Sequence, residues 1–444
     1  MKRKLKKIAL INPRKNLQEQ NPMIHKMFER NKNTIKQWHA HPLSLLIIAA
    51  NTPHEIEVTL IDEYFEDIDF DLHFDLVGLT AMTHQVNRAY EIADIYRQKK
   101  IPVVMGGIHA TVMPNEALNH VDSVFLGESE LLWPEFLNDF EQGIEKRIYE
   151  NSVRYDLASN KLPRYELLNQ AAFKEDGSYL KFVPVQATRG CPHDCSFCVV
   201  SKFYGKKIRK RPVGQVVADI QFIQSLGLDS LIMFTDDNLF VDRKYVKELL
   251  KALIPLKIKY VAQSDVNMAN DSELLQLAYL SGCMMVLVGF ESLETSSLNN
   301  INDNNWKLKQ VDNYRNVIKT IQSNGIVVLG AFVVGFENDN LDTFVDIRDF
   351  VLENHILGQF TILTPLPGSR VFEEFKNRGK LLNETFWDNC SLFHMNFRHN
   401  NIKKEEAESK IIWVFDEAYS ETNVLNRNMH MMRNYKKLPP RWIH

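Results

Sequence analysis

The sequence predicts an α/β protein with two parallel sheets in tandem. A flavodoxin-like, Rossmann-type doubly wound sheet comes first, then a partial TIM-type barrel of six strands, then a mostly helical C-terminal cap. Three observations carry this. Short apolar runs alternate with helical stretches over residues 5–140 and again over 182–363; residues 141–180 between them hold no convincing strand; and the last 75 residues change character.

In the first series the strand candidates are "KIALIN", "EVTLID", "DLVGLTAM", "IPVVMGG" and "SVFLGE", with apolar residues at helical spacing in "HQVNRAYEIADIYRQKK" (84–100). Continuously apolar strands separated by helices imply a parallel sheet covered on both faces, with its ligand crevice at the strands' carboxyl ends. Those ends read "GLTAMT" (78–83), "GGIHAT" (106–111) and "GESE" (127–130). Glycine beside small or hydroxylated residues lets a flat ligand approach the backbone. Each could alone be an ordinary βα turn; three at one sheet edge favour a ligand site.

The second series places strands at 182–188, 230–235, 259–264, 284–290, 326–334 and 359–363, separated by helices such as 214–226, 243–254 and 272–281. Such a run suits a barrel or partial barrel whose chemistry lies at the carboxyl ends of its strands. The resulting division is 1–140, a linker over 141–180, a barrel over 181–370 and a cap over 371–444, expected to cover the barrel mouth.

Composition narrows the function. A formal charge of −3 over 444 residues offers no basic field for nucleic acid, and no stretch approaches a membrane span. The basic start "MKRKLKK" precedes only "IALI", which reads as a lead-in to a buried strand rather than a signal peptide. Five cysteines in 444 residues do not make a disulfide scaffold, so a reducing cytoplasm is the expected compartment.

Three of the five cysteines fall in "RGCPHDCSFC" (189–198), spaced C-x3-C-x2-C. Such spacing in a loop lets three thiolates converge on one inorganic cluster, with Pro192 and Asp194 favouring the turn. Zinc commonly takes a second cysteine pair, and none is present. Cys283 and Cys390 are isolated and read as small buried hydrophobes, and His193 as a solvated loop residue. On a four-iron, four-sulfur cubane, three cysteines leave one iron open to a substrate or cofactor.

Cys191, Cys195 and Cys198, after the first strand of an α/β barrel, resemble the radical S-adenosylmethionine (SAM) superfamily. The resemblance implies a [4Fe-4S] cluster whose open iron chelates SAM and whose electron cleaves it to a 5′-deoxyadenosyl radical. It also implies SAM contacts from Thr235, Asp236 and Asp237 in "FTDDNLF", from Glu291 and Ser292 in "GFES", and from Gly335 in "FVVGF", with "TPLPGS" (364–369) at the sixth turn. Any of these carboxylates could instead cap a helix. The basic run "YGKKIRKRP" (204–212) is either a solvated loop or a basic wall near the SAM carboxylate.

The first domain extends the resemblance to the cobalamin-binding subfamily over roughly residues 5–400. It implies a corrin laid across Gly78, Thr80, Gly106, Gly107, Gly127 and Glu128, with His109 and Thr111 near its nucleotide tail. The D-x-H-x-x-G motif that supplies a cobalt-binding histidine in some cobalamin domains is absent, since the first strand runs into "NPRKN" (12–16). The implied function is cobalamin-dependent methyl transfer to an unactivated carbon of a small-molecule or peptide substrate, with an electron donor such as flavodoxin or ferredoxin. The alternatives are another radical SAM reaction with an empty cobalamin-like domain, or a non-enzymatic iron–sulfur sensor.

Overall fold

A computed structural model of the chain describes residues 4–14, 22–31, 37–169, 179–228 and 231–441. Seven strands lie in the first 150 residues: β1 (Lys7–Asn12), β2 (Gln37–Ala40), β3 (Glu57–Asp62), β4 (Leu76–Thr80), β5 (Val103–Gly106), β6 (Ser123–Leu126) and β7 (Ile148–Glu150). All except β2 form one parallel sheet in the order β3-β1-β4-β5-β6-β7. Successive residues of β1 serve opposite faces: Ala9 and Ile11 pack with Val86, Ala89 and Ala93 of the helix Val86–Gln98, whereas Ile8 and Leu10 pack with Trp133, Phe136 and Leu137 of the helix Leu132–Gln142. The sheet is therefore covered on both sides.

The second half supplies β8 (Tyr179–Val185), the two-residue strands β9 (Thr188–Arg189) and β10 (Arg209–Lys210), then β11 (Leu231–Phe234), β12 (Tyr260–Ser264), β13 (Cys283–Glu291), β14 (Val327–Val334) and β15 (Leu357–Ile362). Its parallel sheet runs β15-β14-β13-β12-β11-β8-β2. The six anticipated strands are all present. A seventh, β2, comes from the N-terminal half and pairs with β8, so the two halves share a sheet. Residues 141–180 are not strand-free either, because β7 extends the first sheet beside β6 and β8 begins at Tyr179. Part of that expected linker, 170–178, lies outside the described residues, as do residues 1–3 of the basic start, Lys15 and Asn16 of "NPRKN" and the strand position Ser230.

The C-terminal region meets the barrel both at its strand ends and along its edge: Ile362 N–H, at the end of β15, donates to the Leu392 carbonyl (2.7 Å), and His399 Nε2 lies 2.8 Å from the Phe336 carbonyl just beyond β14. The helix Lys404–Ala418 packs on β15 and on the helix Leu341–Glu353. Beyond it, the Tyr419 hydroxyl donates to the Gly358 carbonyl (2.9 Å) and Arg427 Nη1 to the Ile356 carbonyl (3.0 Å). An open barrel ends in an edge strand with unpaired polar groups, and these side chains meet two of them. Ahead of these helices, Phe386, Trp387 and Cys390 join the core of the first domain, with Trp387 Nε1 donating to Glu116 Oε1 at 2.9 Å. Cys283 and Cys390 are buried as anticipated. No described helix is long and apolar enough to cross a membrane.

Between the halves, Tyr165 is fully buried and donates to the Pro184 carbonyl, beside an Arg211–Asp219 pair bonded at 2.6 and 2.9 Å. Breaking such a pair strands a buried guanidinium. Asp219→Ala is expected to lower unfolding stability by about 3–5 kcal/mol, read by denaturant titration. A loss below about 1 kcal/mol would show that the pair is not a fastening.

Candidate functional site

The carboxyl ends of the two sheets face one another across a mostly apolar crevice of about 580 Å³. The first domain contributes Gly78, Thr80, Gly106, Gly107, Gly127 and Glu128; the barrel contributes Gln186, Arg189, Met233, Thr235 and Gln263. Gly107 adopts φ +94°, and a Cβ there would sit 2.9 Å from the Ala81 carbonyl and from Thr80 Oγ1, so the turn is shaped for close backbone approach. Two predicted residues stand behind this surface. His109 is fully buried, with Nε2 3.2 Å from Glu116 Oε1 and its ring edge-on to Trp387; Thr111 donates to the Gly107 carbonyl and accepts from Gly127 N–H. They support the glycine turns rather than line the crevice.

Sequence reasoning missed the group that joins the two walls. Arg189, 4% exposed, donates to Glu128 Oε1 (2.7 Å), Glu130 Oε1 (2.6 Å) and Gln186 Oε1 (2.7 Å), and its guanidinium lies 5.5 Å from the centre of the Tyr204 ring. Burial opposes its charge, but Glu130, Tyr204 and Glu128 more than compensate and raise its pKa further above the ordinary arginine range. Within the basic run, Arg209 also reaches Glu128 (2.9 Å) and Arg211 holds Asp219, while Lys206 meets Asp194 and Asp303. The run is thus largely consumed by ion pairs, neither a bare solvated loop nor a free basic wall.

The cysteine loop is pinned from several barrel segments. Ser196 N–H donates to the Ile301 carbonyl (2.7 Å), Cys191 N–H to the Gly205 carbonyl (3.3 Å), and Arg370 Nη2 to the Asp194 carbonyl (2.5 Å). His193 is not solvated: Nε2 lies 2.9 Å from Asp265 Oδ2 and its ring stacks on Trp306 at 4.2 Å, an aromatic shelf invisible to local sequence. The thiols of Cys191, Cys195 and Cys198 are free of disulfides and close enough to repel one another's charge. Burial pushes their pKa values up to about 11, 12 and 11. Among the described residues, no three His, Cys, Asp or Glu side chains close around a single ion. Three neighbouring soft thiols in a pinned loop fit the separate irons of a cluster, whose positive charge deprotonates a coordinating thiol outright.

The remaining candidates divide by orientation. Thr235 lines the crevice. Asp237 Oδ2 faces Gly190 N–H at 3.4 Å, and burial lifts its pKa to about 6. Asp236 is fully buried with both oxygens engaged, Oδ2 by Ala187 N–H and Oδ1 by the Thr188 amide and hydroxyl, so it braces the turn after β8. Glu291 has φ +67° at a register break in β13, a conformation costing of order 1–3 kcal/mol in a non-glycine residue. Lys307, also missed, holds it there through Oε1 (2.7 Å) and donates to the Gly289 carbonyl (2.9 Å). Ser292 is fully buried and accepts from Glu294 N–H, and the Gly335 turn is closed by Asp339, which accepts from Gly335 and Phe336 N–H.

Gly190, directly before Cys191, has φ +102°, and a Cβ would meet the Lys207 carbonyl at 2.6 Å. Gly190→Ala is therefore expected to displace the loop and at least halve the iron retained after anaerobic reconstitution. Gly214→Ala, which meets nothing within 4 Å, is expected to retain the wild-type amount. Equal iron in both variants would contradict a strained loop.

Comparison with known proteins agrees with this geometry. The B12 binding domain family matches residues 38–137 and the Radical SAM superfamily residues 185–351. The chain is 31% identical to the bacteriochlorophyllide d C-12(1)-methyltransferase of Chlorobaculum tepidum over 393 residues, covering 87% of this chain and 84% of that one. It is 29% identical to the C-8(2)-methyltransferase of the same organism, covering 88% of each. The fold matches the radical SAM methyltransferase TsrM from Kitasatospora setae, solved with cobalamin and a [4Fe-4S] cluster bound, with a TM-score of 0.69 at 14% identity, over 98% of this chain and 100% of that chain. The chain belongs to the radical SAM enzymes with an N-terminal B12-binding domain: it is an iron–sulfur, SAM and cobalamin enzyme of the methyltransferase class.

Proposed function

We propose that the enzyme methylates an unactivated carbon of a largely apolar small molecule held between the two sheets. The observation that carries this reading is a crevice walled by both cofactor-bearing domains. When bound, the cluster supplies the electron that cleaves SAM to a 5′-deoxyadenosyl radical and cobalamin supplies the methyl group.

The chain's own residues bind, orient and exclude water. Cys191, Cys195 and Cys198 hold the cluster. Asp237 accepts from the SAM ammonium, as a carboxylate suits, with Thr235 beside it, while Glu291, fixed by Lys307, takes the ribose or amino acid part. Ser292 and Gly335 shape the neighbouring turns. Asp236 acts through the turn it braces and does not touch SAM. Gly78, Thr80, Gly106, Gly107, Gly127 and Glu128 meet the corrin, with His109 and Thr111 behind them.

Two relatives that methylate bacteriochlorophyllide d suggest a tetrapyrrole of that type as the substrate class. The reductant is a low-potential carrier of the flavodoxin or ferredoxin kind, and the three unpaired thiols suit a reducing cytoplasm.

Anaerobic reconstitution with iron, sulfide, cobalamin and SAM, followed by bacteriochlorophyllide d and a reductant, tests this. The expected yield is one 5′-deoxyadenosine and one S-adenosylhomocysteine per methylated product. Deoxyadenosine without S-adenosylhomocysteine would overturn methyl transfer, and an unmethylated tetrapyrrole beside both would overturn the substrate class. Asp237→Asn is expected to weaken SAM binding about tenfold or more, since a hydrogen bond to a charged group is worth roughly 1.5–3 kcal/mol. Asp236→Asn is expected to lower stability with SAM affinity little changed; the reverse pattern would reassign the two carboxylates.

A further inference from the structure

The two oxygens of Glu128 are used unequally. Its side chain is 5% exposed and lines the crevice, and Oε1 accepts from both Arg189 (2.7 Å) and Arg209 (2.9 Å). Oε2 is buried with no hydrogen-bond partner. A buried carboxylate oxygen left bare is costly, and it is matched by a ligand that brings an N–H or O–H donor. The two guanidinium groups come from facing residues of the β9–β10 hairpin, Arg209 opposite Arg189. Arg189 is followed by Gly190, where the Lys207 and Gly205 carbonyls leave no room for a side chain, and then by Cys191.

We propose that Glu128 and Arg189 form a relay between the crevice and the cysteine loop. This rests on the reading of the crevice as a corrin site. A corrin is fringed by primary carboxamides, and one such N–H turns the Glu128 carboxylate until Oε2 reaches the crevice surface and donates to it. That bond fixes the carboxylate rotamer, which fixes the Arg189 guanidinium, which sets the start of the loop carrying Cys191. Arg189 is thus a positioning residue: it acts on SAM through the cluster loop and need touch neither cofactor. Because coupling between two sites is reciprocal, cobalamin and the SAM site tighten one another by the same factor, typically about 5- to 150-fold for coupled sites.

The test uses the reconstituted full chain and S-adenosylhomocysteine, which occupies the SAM site without being cleaved. Its affinity is measured by calorimetry with and without hydroxocobalamin, and cobalamin affinity with and without S-adenosylhomocysteine. The expected result is at least fivefold tightening in each direction, equal within error. In Arg189→Lys, which keeps the charge but loses the forked reach, corrin absorbance is expected to survive desalting while the coupling factor falls to within about twofold of one. Glu130→Gln, which loosens Arg189 from its other side, serves if the lysine variant does not fold, and is expected to reduce the factor. A wild-type factor within twofold of one, or an unchanged factor in the variant tested, overturns the relay. Loss of corrin absorbance from the wild-type protein would overturn the reading of the crevice itself, and the relay with it.

Discussion

Arg189 carries a permanent positive charge into the joint between the two sheets, where little solvent reaches it. A guanidinium there is tolerable only with its donors satisfied, and its partners come from both sides: Gln186 from its own strand–turn segment, Glu128 and Glu130 from the turn after β6. Removing the two carboxylates would leave an uncompensated buried charge, a loss of about 3–5 kcal/mol. The pairing thus fixes how the first domain meets the barrel. Hydrophobic contact alone would allow sliding, whereas two directed bonds across the joint, from a guanidinium held in place by Gln186, set register.

From that joint the rest follows. Parallel strands point all their carboxyl ends one way, so two parallel sheets joined there present two rows of turns to one another. One row is rich in glycine and small side chains and lets a flat ligand lie close; the other carries the cysteine loop and the polar strand ends. β2 strengthens the arrangement because chain from the N-terminal half completes the barrel sheet. The C-terminal residues strengthen it again, through the helices on β15 and through Trp387 on the first domain. The chain is laced through both halves at β2 and at Trp387, and the crevice is what the lacing leaves between them.

Much of this was legible from residues alone. Strands buried on both faces read as continuous apolar runs, and the cysteine spacing is informative because few other arrangements need it. β2 and β7 were not legible: at four and three residues they are stabilised by distant partners, and local propensity says little about so short a segment. The adjacent Asp236 and Asp237 could not be separated in sequence because each is an acid at a strand end, yet neighbouring residues there point oppositely, one into the barrel wall and one toward the loop. The packing of His109 and His193 was not legible for a related reason. Whether a histidine is wet or packed is decided by Trp387 and Trp306, which lie 278 and 113 residues away along the chain. Arg189 and Lys307 show no periodicity or motif beyond their neighbourhood, and only tertiary burial reveals them.

The central claim is that corrin and cluster face each other across one crevice. Electron paramagnetic resonance of the reconstituted protein, with the cluster reduced and cobalamin in its cob(II) form, measures this directly. Two paramagnets facing each other across one crevice are expected to broaden or split each other's signals, and that is the predicted spectrum. A spectrum equal to the sum of the two isolated signals would contradict the account.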